Sequence, residues 1–267
     1  MSSPKITFVI TTHNRCAQAL KTLSLLRASG WRLPHEILVI DNGSQDGTGE
    51  AVARRFPQVR LIELSSNQEA AARNLGVSAV TSEFVFLLDD ATWPDKGTAE
   101  LALRMMAEQP RLAAASCRVH PLGELPRSET DGPAGVIAGA VVLRRQAVLE
   151  VGGWPLDYED CMAGYDLSAR LWQAGWQVQR FEGMVAWREA DAASQGDLLR
   201  KPLVASEARF WSRYAPEGRY EALVGEPAAR CRARRRPLSE EQLLSLMGEE
   251  ASPARMPQVP AGVPTAA

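Results

Sequence analysis

The feature that most restricts the fold of this chain is a set of short apolar runs that alternate with helical patterns and end in polar residues. Residues 5–11 (Lys5 to Thr11), 36–40, 59–64 and 84–88 are β-branched or almost wholly apolar and read as strands. The second, Glu36-Ile37-Leu38-Val39-Ile40, is the kind of run found in a strand covered by helices on both faces of a parallel sheet. Between the runs, Leu20, Leu23 and Leu26 recur at three-residue spacing before Gly30, residues 46–56 read as a short helix, and the alanine-rich stretch 69–80 reads as another. Strand–helix alternation with short connections predicts an open α/β sheet. The first strand runs into Thr11-Thr12-His13-Asn14-Arg15, the second into Asp41-Asn42-Gly43-Ser44, and the fourth into Asp89-Asp90. Ligands of such sheets bind beyond the carboxyl ends of the strands, so these three ends are expected to meet on one edge.

The second half is less regular. A helix is expected over 98–108, strands over 111–117, 136–143 and 176–181, and a helix over 167–175 ending in glycine. Residues 120–133 are polar and rich in Pro and Gly, and read as a loop or flap. Residues 191–214 turn helical, Arg230, Arg232, Arg234, Arg235 and Arg236 form a basic cluster, and 238–247 has the pattern of one more helix. Residues 252–267 are rich in Pro and Ala and are expected to be disordered.

Composition closes off several classes. A chain of 267 residues, 45% hydrophobic and 23% charged, suits one large domain or two fused halves with a sizeable core. A net charge of −2 argues against a dedicated nucleic-acid binder. No apolar run reaches the roughly 18–20 residues that span a bilayer, and residues 1–5 have no signal-peptide character. Cys16, Cys117, Cys161 and Cys231 are scattered without a CxxC pair, which favours reduced thiols in a cytoplasmic protein. The absence of GxGxxG after the first strand, of GxxxxGK[ST] and of GxSxG disfavours a dinucleotide oxidoreductase, a P-loop NTPase and an α/β-hydrolase. His13, His35 and His120 have no metal-ligand spacing.

Six segments taken in order resemble the family 2 glycosyltransferases, which have the GT-A fold: ITFVITTHNR (6–15), HEILVIDNGSQDGT (35–48), NQEAAARNLG (67–76), FVFLLDDATWP (84–94), VIAGAVVLRRQAVLEVGGW (136–154) and DLSARLWQAGWQV (166–178). The resemblance covers about residues 5–190. It implies a three-layer α/β/α fold with a mostly parallel central sheet, plus C-terminal helices. The implied organisation is a nucleotide-sugar-binding half at 1–95, an acceptor-binding half at 96–190, a helical extension at 191–250 and a disordered tail at 251–267. The implied reaction is inverting transfer of a sugar from a UDP- or dTDP-linked donor to an acceptor hydroxyl, with Mg²⁺ or Mn²⁺. The acceptor is a carbohydrate, a lipid-linked or a small molecule, and no nucleic acid is involved. The Arg230–Arg236 run could touch anionic lipid at the cytoplasmic face of a membrane.

The resemblance places residues in roles. Asp41, with Gly43 and Ser44 in the turn after it, faces the base and ribose, because a carboxylate accepts from an imide N–H or a ribose hydroxyl. The same residues could instead form an Asx turn capping the next helix. Thr11, Asn14 and Arg15 line the same edge, although Asn14 is also a candidate N-cap. Arg73 faces the nucleotide through its guanidinium. Asp89 and Asp90 stand at the family's acidic metal motif, with Asp89 on the nucleotide side and Asp90 as metal ligand, since hard cations take oxygen ligands together with substrate phosphates. The motif's further acid falls on Leu88 or on Ala91, so one carboxylate is missing in either register. The catalytic base is assigned to Asp160 with Glu159 beside it, in competition with Asp157 and Asp166, because the acceptor hydroxyl must lose its proton as it attacks. On the acceptor side stand Arg144, Trp187 and Arg188, and Trp154, Trp172 and Trp176 are candidates either for sugar stacking or for the core.

Three positions depart from the family pattern. Glu69 replaces a glycine, Ala163-Gly164 occupies the ungapped place of the catalytic Glu-Asp pair, and Val185-Ala186-Trp187-Arg188 lacks the histidine that completes the metal site. These departures motivate an alternative function: a GT-A-like nucleotide-sugar-binding or partner-binding protein without turnover.

Overall fold

The computed structural model describes residues 4–122, 137, 139–158, 162–189, 206, 209, 210 and 212–214. The elements run β1 (Ile6–Thr12), α1 (Cys16–Ala28), β2 (His35–Asp41), α2 (Thr48–Arg55), β3 (Arg60–Glu63), a single 3-10 turn (Glu69–Ala71), α3 (Ala72–Ala79), β4 (Phe84–Asp89), β5 (Thr92–Pro94), α4 (Thr98–Glu108), β6 (Leu112–Pro121), β7 (Ala140–Arg144), α5 (Arg145–Glu150), α6 (Ala163–Gln173) and β8 (Gln177–Arg188).

Among the described residues, all eight strands join one sheet in the order β3-β2-β1-β4-β7-β6-β8-β5. The first half is parallel: β1 pairs with β2 on one side and β4 on the other, and β2 with β3. Strand β7 runs antiparallel to both β4 and β6, while β6 and β8 are parallel again. The sheet crosses residue 95 without a break, because β4 and β7 are neighbours.

Alternate residues of the strands feed two apolar layers, as the period of two requires. Ile6, Phe8, Ile10, Phe86 and Leu88 pack with Leu23 and Leu26 of α1, Val52 of α2 and Ala102 and Met106 of α4. Val9, Leu38, Ile40, Val85, Leu87 and Leu143 pack with Val77 of α3, Val148 of α5 and Leu167 and Leu171 of α6. This is the expected α/β/α arrangement. Phe8 and Phe86 are register partners whose rings stack with centroids 5.4 Å apart, and each buried side chain of this size contributes about 1.5–3 kcal/mol.

The structure departs from the sequence expectations where a partner strand, not local pattern, sets the outcome. β5 is three residues long, too short to show a period, and forms by antiparallel pairing with the end of β8. β8 extends past Phe181 to Arg188 because β5 and β6 hold it on either side. β6 runs on to Pro121, into the segment read as a loop. α6 starts at Ala163 instead of 167. The stretch 69–80 is split, with Glu69 at φ 49° opening the 3-10 turn before α3. A positive φ suits glycine, and that accounts for the residue type the family favours there. The rest of the 120–133 loop, the pair Glu159 and Asp160, the Arg230–Arg236 run, the helix expected over 238–247 and the tail lie outside the described residues. Among the described residues, no helix is long and apolar enough to cross a membrane.

Candidate active site

Parallel pairing in register brings the three polar strand ends together. Thr12 lies opposite Asp41 in β2, and Thr11 lies opposite Asp89 in β4. β1 sits between strands connected in opposite directions, so this edge is a switch point of the kind where α/β sheets bind ligands.

Two loops at this edge are knitted to each other. The Asn14 N–H donates to Ser44 Oγ at 2.9 Å, and the Gln45 N–H donates to Asn14 Oδ1 at 2.7 Å. Asn14 holds φ 52°, a left-handed conformation that asparagine tolerates. It does not cap α1. That end is met from the other loop, where Asp46 Oδ2 accepts from the Cys16 N–H at 3.0 Å. Asp46 also accepts from the N–H of Thr48 at 3.1 Å and from its hydroxyl, so one carboxylate serves the starts of both α1 and α2. Burial pushes the Asp46 carboxyl up, but the bonds from Thr48 and Cys16 outweigh it and leave the group below its ordinary value.

Asp41 is buried, and its Oδ1 accepts from the Ser44 N–H, three residues on, at 2.9 Å, which closes the turn; the Asx turn at the start of α2 is made by Asp46 with the Thr48 N–H instead. Gly43 has φ 77°, and a Cβ there would lie 2.6 Å from the Ser66 carbonyl carbon. The turn therefore approaches the next loop more closely than any side chain allows. Asn42, unremarked in the sequence, links the loops further: its Nδ2 donates to Asn67 Oδ1 at 2.7 Å and its Oδ1 accepts from the Gln68 N–H at 2.8 Å.

Asp89, the last residue of β4, and Asp90 after it meet three arginines from three separate segments. Asp89 Oδ2 accepts from Arg188 Nη2 at 2.7 Å, and Asp89 Oδ1 lies 3.7 Å from Arg73 Nη2. Asp90 Oδ2 accepts from Thr12 Oγ1 at 3.0 Å, and its Oδ1 lies 3.3 Å from Arg15 Nε. Thr22 Oγ1 donates to the Asp90 carbonyl at 2.6 Å, fixing the turn on α1. Thr11, Arg15, Arg73, Asp89, Asp90 and Arg188 thus meet at one place.

The donor set can be tested against a divalent cation. The two carboxylates offer four oxygens, and each faces an N–H or O–H donor at the distances just given. Leu88 and Ala91, the two candidates for a further acid, are buried side chains without oxygen. Among the described residues, no group of three or more His, Cys, Asp or Glu side chains is placed to hold a metal ion. Such a lattice of guanidiniums and carboxylates does not fit a hard cation, which takes several oxygens.

The acceptor half holds a second cluster. Asp166, fully buried on α6, accepts from Arg170 Nε at 2.6 Å, Tyr214 Oη at 3.1 Å, Tyr158 Oη at 3.2 Å and Arg213 Nη1 at 3.2 Å. Arg213 also donates to Asp157 at 2.5 Å. Burial first, then the negative Asp166, push the phenols of Tyr158 and Tyr214 well above their ordinary value. Asp166 therefore faces donors on every side and ties 157–158 and 213–214 to α6. Arg213 and Tyr214 carried no sequence signal, because nothing local couples them to Asp166.

Ala163 and Gly164 open α6 in a closed environment. Ala163 is buried, and a Cβ on Gly164 would lie 2.0 Å from the Ile137 carbonyl oxygen. Ser168 Oγ donates to the Gly164 carbonyl at 2.7 Å and accepts from the Ile137 N–H at 3.1 Å, holding that approach. No carboxylate could stand at 164 without moving this backbone.

The structure does not bring Arg144 to the polar edge. It pairs with Phe84 at the opposite end of β4, where it donates to the carbonyls of Met106 at 2.7 Å and Leu112 at 3.1 Å and meets Glu83 at 3.1 Å. Five residues of strand, roughly 17 Å, separate Phe84 from Asp89. Trp187 precedes Arg188 on β8, opposite Trp93 and with its ring 5.8 Å from that of His120. Trp154 is core, with its N–H and carbonyl both bonded to the Asn74 side chain at 2.7 Å.

Comparison with known proteins places this geometry. The model described as glycosyl transferase family 2 matches residues 7–168. The O-antigen biosynthesis protein RfbC of Myxococcus xanthus is 22% identical over 304 residues, covering 95% of this chain and 23% of that protein. The N-acetylglucosaminyl-diphospho-decaprenol L-rhamnosyltransferase of Mycobacterium tuberculosis is 27% identical over 193 residues, covering 54% of this chain and 62% of that protein. The chain thus spans less than two thirds of the length of these curated relatives. Among solved structures, a mannosyltransferase of Pyrobaculum calidifontis in complex with GDP-Man and Mn²⁺ superposes with TM-score 0.64 at 19% identity, over 86% of this chain and 70% of that one. GalNAc-T7 with UDP, GalNAc and Mn²⁺ superposes with TM-score 0.68 at 14% identity, over 85% and 52%. TarS of S. aureus in complex with UDP-GlcNAc gives 0.62 at 14%, over 86% and 73%.

Proposed function

The chain belongs to glycosyl transferase family 2 and has the GT-A fold, and from that premise we propose that it transfers a sugar from a nucleoside diphosphate sugar to an acceptor hydroxyl. The observation that carries the proposal is the meeting of three strand ends, with their acids and arginines, at the switch point of the sheet. The knitted loops of Thr11, Asn14, Arg15, Asp41, Gly43 and Ser44 form the base and ribose side. Arg73, Asp89, Asp90 and Arg188 form the diphosphate side. Relatives named for O-antigen biosynthesis and for transfer to a diphospho-decaprenol support a glycoconjugate or lipid-linked acceptor. Contact of Arg230–Arg236 with anionic headgroups would suit the latter.

The step is a single inverting displacement. The acceptor oxygen forms a bond to the anomeric carbon, the bond from that carbon to the diphosphate oxygen breaks, and its electron pair stays on the phosphate. The acceptor proton passes to a carboxylate, which we assign to Asp160 with Glu159 beside it. Asp166, without open space around its carboxylate, is a positioning residue for the 157–158 segment that leads to this pair. Trp187 bounds the acceptor side, Arg188 next to it turns to Asp89 and the diphosphate side, and Arg144 has no part in either. No step is routed through the divalent cation expected from the sequence, because the donor set does not fit it.

A thermal-shift screen of nucleoside diphosphates and nucleotide sugars tests the reading, since a ligand of the native state raises its stability by mass action. UDP- or dTDP-linked sugars are expected to raise the unfolding midpoint, and no shift with any of them would overturn the proposal. The closed backbone at Ala163-Gly164 favours a second reading, a nucleotide-sugar-binding protein without turnover. Release of nucleoside diphosphate that disappears in Asp160→Asn would eliminate it.

A further inference from the structure

Resting on that reading, we infer that guanidinium groups, and not a divalent cation, neutralise the diphosphate in this chain, with Arg188 and Arg73 as its partners and Asp89 as the residue that positions them. Three guanidiniums converge on two carboxylates at this edge. Asp89 is shared between Arg73 and Arg188, which places both guanidiniums at one point of the edge.

Arg188 is built into the site. It ends β8, its Nε donates to Thr92 Oγ1 at 3.2 Å, and its Nη2 donates to Asp89 at 2.7 Å. The space around it is reserved. Gly139 has φ 61°, and a Cβ there would come within 3.0 Å of Arg188 Nη2. Yet the side chain is 47% exposed, in contrast to the arginines that brace the fold. A guanidinium has five N–H donors in a planar fork, so these two bonds leave capacity for phosphate oxygens. Arg73 stands at the start of α3, with its Nη2 3.7 Å from Asp89 Oδ1, an ion-pair spacing that a phosphate oxygen could shorten on itself. Arg15, held by Asp90, adds positive potential beside Thr12.

The chemistry balances without a metal. As the anomeric carbon–oxygen bond breaks, the electron pair moves onto the diphosphate oxygen. N–H donors fixed around that oxygen stabilise the charge that develops there. The segment 185–188, which lacks the family's metal-completing histidine, ends here in Arg188, one of these donors.

Calorimetry on the whole chain tests the inference, using UDP, dTDP and GDP with their nucleosides as probes, in EDTA and in millimolar Mn²⁺. At least one diphosphate is expected to bind with the same affinity in both buffers. Arg188→Met should weaken that diphosphate by about tenfold or more while leaving the nucleoside unchanged, and Arg188→Lys should restore part of the loss. Arg73→Gln provides the same comparison if Arg188→Met does not fold. Diphosphate binding that requires Mn²⁺, or that is indifferent to the loss of both arginines, would overturn the inference and leave the glycosyltransferase reading standing. Absence of binding in both buffers would overturn both.

Discussion

At the carboxyl edge of the sheet, Asp89 and Asp90 meet Arg15, Arg73 and Arg188; beside α6, Asp166 meets Arg170 and Arg213. The residue types are the same and the consequences differ, because burial and donor count differ. The Asp166 carboxylate is 0% exposed and receives two guanidiniums and two phenols. Its Arg170 partner also donates to the carbonyls of Val151 and Gly153, so no donor faces an incoming ligand. A buried charge held this completely is a structural commitment, since removing one partner strands the others in low dielectric. The Asp89 side chain is 35% exposed and holds two arginines that still meet solvent. Water screens that cluster, and a phosphate could replace the water. An acid–arginine pair is therefore a brace or a binding site according to what surrounds it.

The comparison can be broken at four points. Asp166→Ala should cost the most, about 3–5 kcal/mol, read from the denaturant midpoint, because the buried Arg170 loses its carboxylate and the half-buried Arg213 loses one of its two. A loss as small as that of a surface pair would mean the cluster is not a brace. Raising the pH should attack the same cluster next. Tyr158 and Tyr214 have phenols held above their ordinary value of 10.0, by burial and then by Asp166. A raised folded value means the native state binds the proton more tightly, so this stability is fully present below pH 10.0 and is lost as pH climbs above it. A Tyr158→Phe, Tyr214→Phe double variant should flatten that alkaline decline in a melt series. Gly164→Ala should cost about 1–3 kcal/mol through overpacking against the Ile137 carbonyl; unchanged stability would show that the α6 start can yield and admit a larger residue. Asp89→Asn should cost least, under about 1 kcal/mol, in keeping with its screened pairs. An effect on folding equal to that at Asp166 would erase the distinction between the two clusters.

Much of the first cluster was legible in the sequence. Asp41, Asp89, Asp90 and Arg15 all follow directly on strands whose apolar runs announce themselves, so the parallel sheet places them by simple register. Arg73 and Arg188 were legible as guanidiniums at the right segments, but not as partners of Asp89, since 99 residues separate Asp89 from Arg188. Asp46 was hidden in a turn, although it serves two helix starts. Arg144 misled, because an arginine next to a strand carries no sign of which end of the sheet it braces.

By itself, the sequence determined the alternation of strands and helices, the α/β/α layering and the acids at the strand ends, because periodicity and local turn chemistry are written within a few residues. Only the tertiary structure decided that β5 exists, that Gly164 is sealed by Ile137, that Asp166 is enclosed, and that the acids at the edge face three guanidiniums and one hydroxyl on their four oxygens. Those outcomes depend on which distant segments share the same space, and the energies of burial and charge pairing are set there.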